Sequence, residues 1–145
     1  MSENKKTVLI LCTGNSARSQ MAEGILRSLL DSDKWEVFSA GTKPSIVRPE
    51  AIEVLREKNI DISAHRSKSV EEFAGSPVDH VLTVCDNARE ECPFFPATAR
   101  LVHHSFEDPA EVKGDETERI DAFRRVRDAI DEYLRSEFVG LLDAS

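Results

Sequence analysis

The sequence predicts a single α/β domain over residues 1–145, in which a parallel sheet lies between layers of helices. Short apolar segments alternate along the chain with longer segments of helical periodicity. The apolar segments are nearly continuous, as expected of strands covered on both faces. A length of 145 residues fits one hydrophobic core, and 40% hydrophobic with 32% charged residues is ordinary globular composition.

The elements follow in order along the chain. Strands are predicted at residues 7–12, 35–40, 80–85 and 101–106, and helices at residues 17–30, 49–58 and 116–138. Pro49 suits the first turn of the second helix, and acidic residues at 115–118 suit the start of the last one. The first and third strands both end on a cysteine, Cys12 and Cys85. If these strands are neighbours, both sulfurs face one crevice at the carboxyl edge of the sheet.

The composition excludes several classes of function. A net charge of −8 makes nucleic acid and anionic membranes poor partners. No apolar segment approaches the roughly 20 residues that span a bilayer, and the polar residues 1–6 do not resemble a signal peptide. We therefore expect a cytoplasmic monomer. The three cysteines form no C-x-x-C pair and the histidines are mostly scattered, so we expect neither a metal site nor another cofactor.

The segment from Cys12 to Ser19 carries the strongest chemical signal. Small residues connect the cysteine to a helix, and they could turn backbone N–H groups towards an anion: Thr13, Gly14, Asn15, Ser16 and Ala17. Arg18 adds a planar set of donors for an oxyanion, and Ser19 is placed to hydrogen-bond the sulfur. These features are expected to lower the pKa of the Cys12 thiol from its free value of about 8.5. The alternative is a buried structural cysteine before an ordinary turn.

The motif C-T-G-N-S-A-R-S-Q-M-A-E-G resembles the active-site loop of low-molecular-weight protein tyrosine phosphatases, and more closely that of their relatives, the thioredoxin-coupled arsenate reductases. The resemblance extends to residues 38–41, 61–65, 81–85, 91–93 and 106–110. It implies a four-stranded parallel sheet flanked by helices. It also implies that Cys12 is the nucleophile, that Arg18 binds the oxyanion and that Asp108 is the proton donor.

The resemblance to the reductases implies arsenate as the substrate and a relay from Cys12 through Cys85 to Cys92, which thioredoxin then reduces. Glutaredoxin or another thiol remains open as the reductant. One alternative is a phosphatase of the same fold, although such enzymes typically carry Asp-Pro-Tyr where Ala110 follows Pro109 here. An alternative of another class is an oxyanion-binding or redox-sensing module whose thiols do not turn over.

Some of these reductases bind a potassium ion beside the active loop, through oxygens that match Asn15, Glu23 and Ser39. Two further ligand positions are occupied here by Arg66 and Lys68, whose side chains cannot ligate a cation. We expect that Lys68 can occupy the site with its own charge and that potassium has little effect on activity.

Overall fold

The computed structural model describes residues 5–73, 78–84 and 100–143, so the predicted site residues Cys85 and Cys92 lie outside the described residues. The strands are β1 (Lys6–Cys12), β2 (Trp35–Gly41), β3 (His80–Thr83) and β4 (Arg100–His103). The α-helices are α1 (Arg18–Leu29), α2 (Pro49–Arg56), α3 (Glu116–Tyr133) and α4 (Val139–Asp143). Every helix in the described part of the chain is too short or too polar to cross a membrane.

These strands form one parallel sheet in the order β2-β1-β3-β4. The side chains of Val8, Leu9, Ile10 and Leu11 on β1 are all fully buried. Because successive side chains of a strand point to opposite faces, both faces of the sheet are covered at this strand. The predicted α/β fold class is confirmed.

The strand order reverses between β1 and β3. The chain passes from β1 to β2 on one side, and β3 then returns to the other side of β1. Leu11 pairs with Thr83 of β3, and Cys12 pairs with Gly41 of β2. The first and third strands are therefore neighbours, which is the condition for the shared crevice, and Cys12 lies at the switch point where parallel sheets carry their sites.

The largest differences between the predicted and the observed elements are at the end of β4 and in the last helix. The fourth strand was predicted to reach residue 106, but β4 ends at His103, although the amides of His104 and Phe106 still donate to the carbonyls of Thr83 and Val84 before the loop that carries Asp108. The last helix was predicted as one α-helix over residues 116–138, but a π-helical turn occupies Leu134–Phe138. Ile130, Leu134 and Phe138 are all fully buried. In an α-helix of 3.6 residues per turn, side chains four residues apart point in successively different directions. The wider π-helical turn keeps all three of these side chains towards the core.

Helix α3 is fixed at its start and along its length. Asp115 and Glu118 form a capping box at its N-terminus, where the acidic residues had indicated a helix start. The nearly buried Arg127 donates from NH1 to the carbonyl of Val54 at 2.9 Å and to Glu57 at 2.7 Å. Hydrogen bonds from Arg124 and Arg127 lower the pKa of Glu57 to about 2. These contacts tie α3 to the C-terminal end of α2.

Gly24 of α1 lies where a larger side chain does not fit. A Cβ atom there would lie 2.7 Å from Cγ2 of Ile62 and 2.9 Å from Cδ1 of Leu55, and both of these side chains are fully buried. We predict that Gly24→Ala lowers the free energy of unfolding, because overpacking typically costs about 1–3 kcal/mol and alanine returns about 1 kcal/mol of helix propensity. Urea denaturation measures the change.

Gly140 of α4 is the matched control, because a Cβ atom there would meet nothing within 4 Å. Gly140→Ala is expected to leave the free energy of unfolding unchanged or to raise it by up to about 1 kcal/mol. Equal stabilisation by both substitutions would contradict the close packing of α1 at Gly24.

Candidate active site

Cys12 is the last residue of β1, and α1 begins six positions later at Arg18. We call residues 12–18 the Cys12 loop. Cys12 is only 3% exposed, so it can react only with a group that enters the loop. Asn15 has a φ of 48°, a left-handed conformation that asparagine tolerates better than most residues. This conformation turns the loop sharply before the helix begins.

The backbone carbonyls of the Cys12 loop are all occupied by hydrogen-bond donors from the surrounding fold. Each carbonyl from Cys12 to Ala17 accepts a hydrogen bond. The donors, in loop order, are Thr42 N, Lys43 N, Ser45 N, Gln20 Nε2, Arg48 N and Met21 N. The described part of the chain contains no cis peptide bond. In a trans peptide the N–H points opposite to the C=O, so the amides of residues 13–18 are turned to the other side of the loop.

The start of α1 adds to this array of amides. Its N-cap residue, Ala17, provides no side-chain hydrogen bond to the first turn. Among the described residues, no acceptor forms a hydrogen bond with the backbone N–H groups of residues 14–18. Inward amides and the positive end of a helix dipole together make an anion-binding cup. The predicted substrate-binding residues, 13–18, therefore lie in one cup beside Cys12, and their contact with a substrate stays a prediction.

The side chain of Asn15 holds the loop from behind. Its Nδ2 donates to Ser19 Oγ at 2.8 Å and to Ser39 Oγ at 2.9 Å. Its Oδ1 accepts from Gln20 Nε2 and from the backbone N–H of Lys68, both at 3.0 Å. Because the Ser19 oxygen accepts from Asn15, its own proton is available for another acceptor. The predicted hydrogen bond from Ser19 to the Cys12 sulfur stays a prediction.

A buried carboxylate, Glu23, lies behind this network and is 2% exposed. Its Oε1 accepts from Ser39 Oγ at 2.5 Å, and its Oε2 lies 2.9 Å from Arg27 NH2 and 3.6 Å from His65 Nε2. The ammonium of Lys68 lies 3.9 Å from Oε1. Burial lowers the pKa of Lys68 and of His65, while Glu23 opposes both shifts. A lysine ammonium thus lies beside the carboxylate that matches a potassium ligand in the reductases.

Arg18 connects the Cys12 loop to the residues that follow β4, which we call the acid loop (residues 104–108). Its NH1 donates to the carbonyl of Phe106 at 3.1 Å, and its NH2 lies 3.5 Å from Asp108 Oδ2. Asp108 Oδ1 accepts from the backbone N–H of Ala110 at 3.0 Å, so the carboxylate also caps the turn Pro109–Glu111. The structure therefore brings Asp108 to the guanidinium that closes the cup.

The structure brings Asp108 to Arg18 and joins Ser19 to Asn15 of the Cys12 loop, whereas Cys85 and Cys92 lie outside the described residues. Sequence reasoning missed the segment 42–48 that holds the loop carbonyls, because backbone donors leave no trace in residue type. It also missed Gln20, which is fully buried and contacts Asn15 and the carbonyl of Arg66. The sequence did hold a signal for Gln20: it lies three residues before Glu23, so that two polar residues share an otherwise apolar face of the helix.

Known proteins resemble this chain over most of its length. The family model for low molecular weight phosphotyrosine protein phosphatases matches residues 7–141. An arsenate reductase of Halalkalibacterium halodurans is 41% identical over 133 residues, which cover 92% of this chain and 95% of that protein. A solved arsenate reductase in the phosphate-binding state is 31% identical with a TM-score of 0.71, covering 90% of this chain and 94% of that one. A low molecular weight protein tyrosine phosphatase from T. tengcongensis is 27% identical with a TM-score of 0.73, covering 90% and 96%.

Gly41 permits the close approach of β2 to the Cys12 loop. A Cβ atom there would lie 2.5 Å from the carbonyl oxygen of Thr13 and 2.9 Å from the amide of Asn15, both backbone atoms. We predict that Gly41→Ala displaces the cup and lowers its affinity for phosphate, a tetrahedral oxyanion, by about 100-fold, the order expected for a misplacement of about 1 Å. Calorimetric titration measures the affinity, with Gly140→Ala as the control. Unchanged affinity in Gly41→Ala would show that the loop tolerates the displacement.

Lys68 is expected to make the loop independent of potassium. Because its ammonium already lies beside Glu23, exchanging NaCl for KCl at equal ionic strength should leave phosphate affinity and turnover unchanged. Lys68→Met should weaken phosphate binding, since Glu23 then keeps a buried negative charge with one fewer neighbouring cation. A several-fold stimulation of the unaltered protein by potassium would refute this expectation.

Proposed function

The chain belongs to the low molecular weight phosphotyrosine protein phosphatase family, and from this premise we propose that it is an arsenate reductase. The observation that carries the proposal is the Cys12 loop, whose carbonyls from Cys12 to Ala17 all accept hydrogen bonds and whose amides of residues 14–18 have no acceptor among the described residues. Such a cup suits a tetrahedral oxyanion beside the Cys12 thiol. The arsenate reductase relative at 41% identity supports arsenate as that oxyanion.

The first step is nucleophilic. The Cys12 thiolate attacks arsenic, and an arsenate oxygen leaves as water with protons that Asp108 helps to deliver. Arg18 and the loop amides stabilise the negative oxygens that remain on arsenic. The product of this step is a covalent Cys12–arsenate adduct in which arsenic is still pentavalent.

The second step transfers the electrons. The Cys85 thiolate attacks the Cys12 sulfur, and the electron pair of the S–As bond stays on arsenic, which leaves as arsenite. A Cys12–Cys85 disulfide remains. Cys92 then attacks Cys85, which frees Cys12 and leaves a Cys85–Cys92 disulfide. Three cysteines in the sequence meet the requirement that a reductase without an organic cofactor take its two electrons from sulfur.

We further propose that thioredoxin reduces the Cys85–Cys92 disulfide and that the protein works as a single-domain monomer in the cytoplasm. A reducing compartment keeps all three thiols available between turnovers. Thioredoxin is favoured because a dithiol can reduce a disulfide completely through one mixed disulfide, whereas a monothiol needs two successive encounters.

A phosphatase is the second candidate, because the Cys12 loop, Arg18 and Asp108 are equally suited to hydrolysing a phosphate monoester. It would need no thiol besides Cys12. A phosphatase activity that is lost in Cys12→Ser and unchanged in Cys85→Ser, without arsenate turnover in the unaltered protein, would establish it.

Arsenate turnover with a purified thioredoxin system tests the reductase. Cys12→Ser is expected to produce no arsenite, because the nucleophile is absent. Cys92→Ser should release at most one arsenite per protein and then stop as the Cys12–Cys85 disulfide, which mass spectrometry detects. Cys85→Ser should stall before arsenite is released. Many turnovers at the unaltered rate in Cys85→Ser or Cys92→Ser would overturn the relay.

A further inference from the structure

We propose that Arg125 on α3 is a positioning residue, which orients Arg18 by holding the acid loop through Glu107. The proposal rests on the proposed function, since Arg18 is the residue expected to bind the oxyanion. It assigns to the last long helix a part in the reaction that its sequence position does not suggest.

Three consecutive residues of the acid loop contact Arg18 and α3 in alternation. The carbonyl of Phe106 and the carboxylate of Asp108 both contact the guanidinium of Arg18, at 3.1 and 3.5 Å. The side chain of Glu107, between them, instead contacts α3. Its Oε1 and Oε2 accept from Nε and NH2 of Arg125 at 3.1 and 2.8 Å, a two-bond arrangement that fixes direction as well as distance.

The support behind this contact is rigid. Helix α3 buries Phe123, Val126 and Ile130, so the backbone that carries Arg125 cannot shift without disturbing the core. The ring of Phe106 also lies 5.9 Å from the ring of Tyr133 on the same helix, in an edge-to-face arrangement. The acid loop is thus attached to α3 at Phe106 and Glu107, and also at His104, whose ring lies 4.0 Å from the ring of Tyr133. The hydrogen bond from Arg125 lowers the pKa of Glu107, as expected when the charged form is preferred.

The exposure of the pair limits the size of the effect. The side chains of Arg125 and Glu107 are 58% and 50% exposed, so water and salt screen their attraction. Partly exposed pairs contribute little free energy, which corresponds to a change of about two- to fivefold in an equilibrium constant. We therefore expect a modest effect on oxyanion binding that decreases at high salt.

Arg124 provides a matched control on the same helix. It is 42% exposed, and it contacts Glu57 through Nε at 3.1 Å and NH2 at 2.8 Å, in the same two-bond arrangement. Its partners are Glu57, which follows α2 directly, and Asp121 of α3, and neither belongs to the acid loop. Arg124→Gln removes the same charge and the same kind of ion pair, and it leaves the contacts of Glu107 intact.

The experiment compares Arg125→Gln, Glu107→Gln, the double variant and Arg124→Gln. Phosphate affinity is measured by calorimetry and arsenate kcat/KM with thioredoxin, each at low and at high NaCl. The first three variants should each lose the same two- to fivefold of both quantities, because either substitution removes the whole pair. The loss should shrink at high salt, and Arg124→Gln should match the unaltered protein in both measurements.

Three results would overturn the proposal: unchanged phosphate affinity in Arg125→Gln at low salt, an equal loss in Arg124→Gln, or a double variant whose loss is the product of the two single losses. None of these results tests the cysteine relay. Conversely, if the unaltered protein reduces no arsenate, the proposed function fails. The phosphate affinities of the same four variants then still decide whether Arg125 positions Arg18.

Discussion

The outward bonding of the loop carbonyls is the constraint from which the site follows. In an isolated loop of small residues, nothing fixes the direction in which the backbone amides point. Here the segment 42–48, Gln20 and the first turn of α1 supply a donor to each carbonyl between Cys12 and Ala17. Planar trans peptides then fix where the amides point. The anion-binding property is thus produced by the parts of the fold behind the loop.

Burial of Glu23 explains why this support is firm. A carboxylate at 2% exposure is stable only with partners, and it has a hydroxyl donor in Ser39 and cationic neighbours in Arg27 and Lys68. Moving any one of them would leave a charge unsatisfied in the interior. Since Ser39 also accepts a hydrogen bond from Asn15, a change in the loop conformation would also disturb the partners of the buried carboxylate. A chain with a net charge of −8 can therefore hold an anion through local arrangement, against its overall field.

Sequence reasoning predicted features that depend on neighbours in the chain and on periodicity. Apolar continuity predicted β1, and the spacing from Cys12 to Arg18 predicted the cup. The features it missed depend on pairs distant in sequence. Lys68 beside Glu23 was anticipated only through family resemblance, and the contact of Arg125 with Glu107 has no signature in either segment. The early end of β4 at His103 was missed because it depends on the pairing of the backbone with β3, which residue type does not reveal.

The contacts of Arg18 determine how a bound oxyanion would meet it. A guanidinium has five N–H donors, and here NH1 and NH2 each have one partner in the acid loop. The remaining donors can bind substrate oxygens without breaking those contacts. The side chain is therefore oriented before substrate arrives, so that less of the binding free energy is lost in ordering it. Because Asp108 contacts the same guanidinium, one contact positions both the residue proposed as the proton donor and the residue proposed to bind the oxyanion, and we expect a change at either to affect the other.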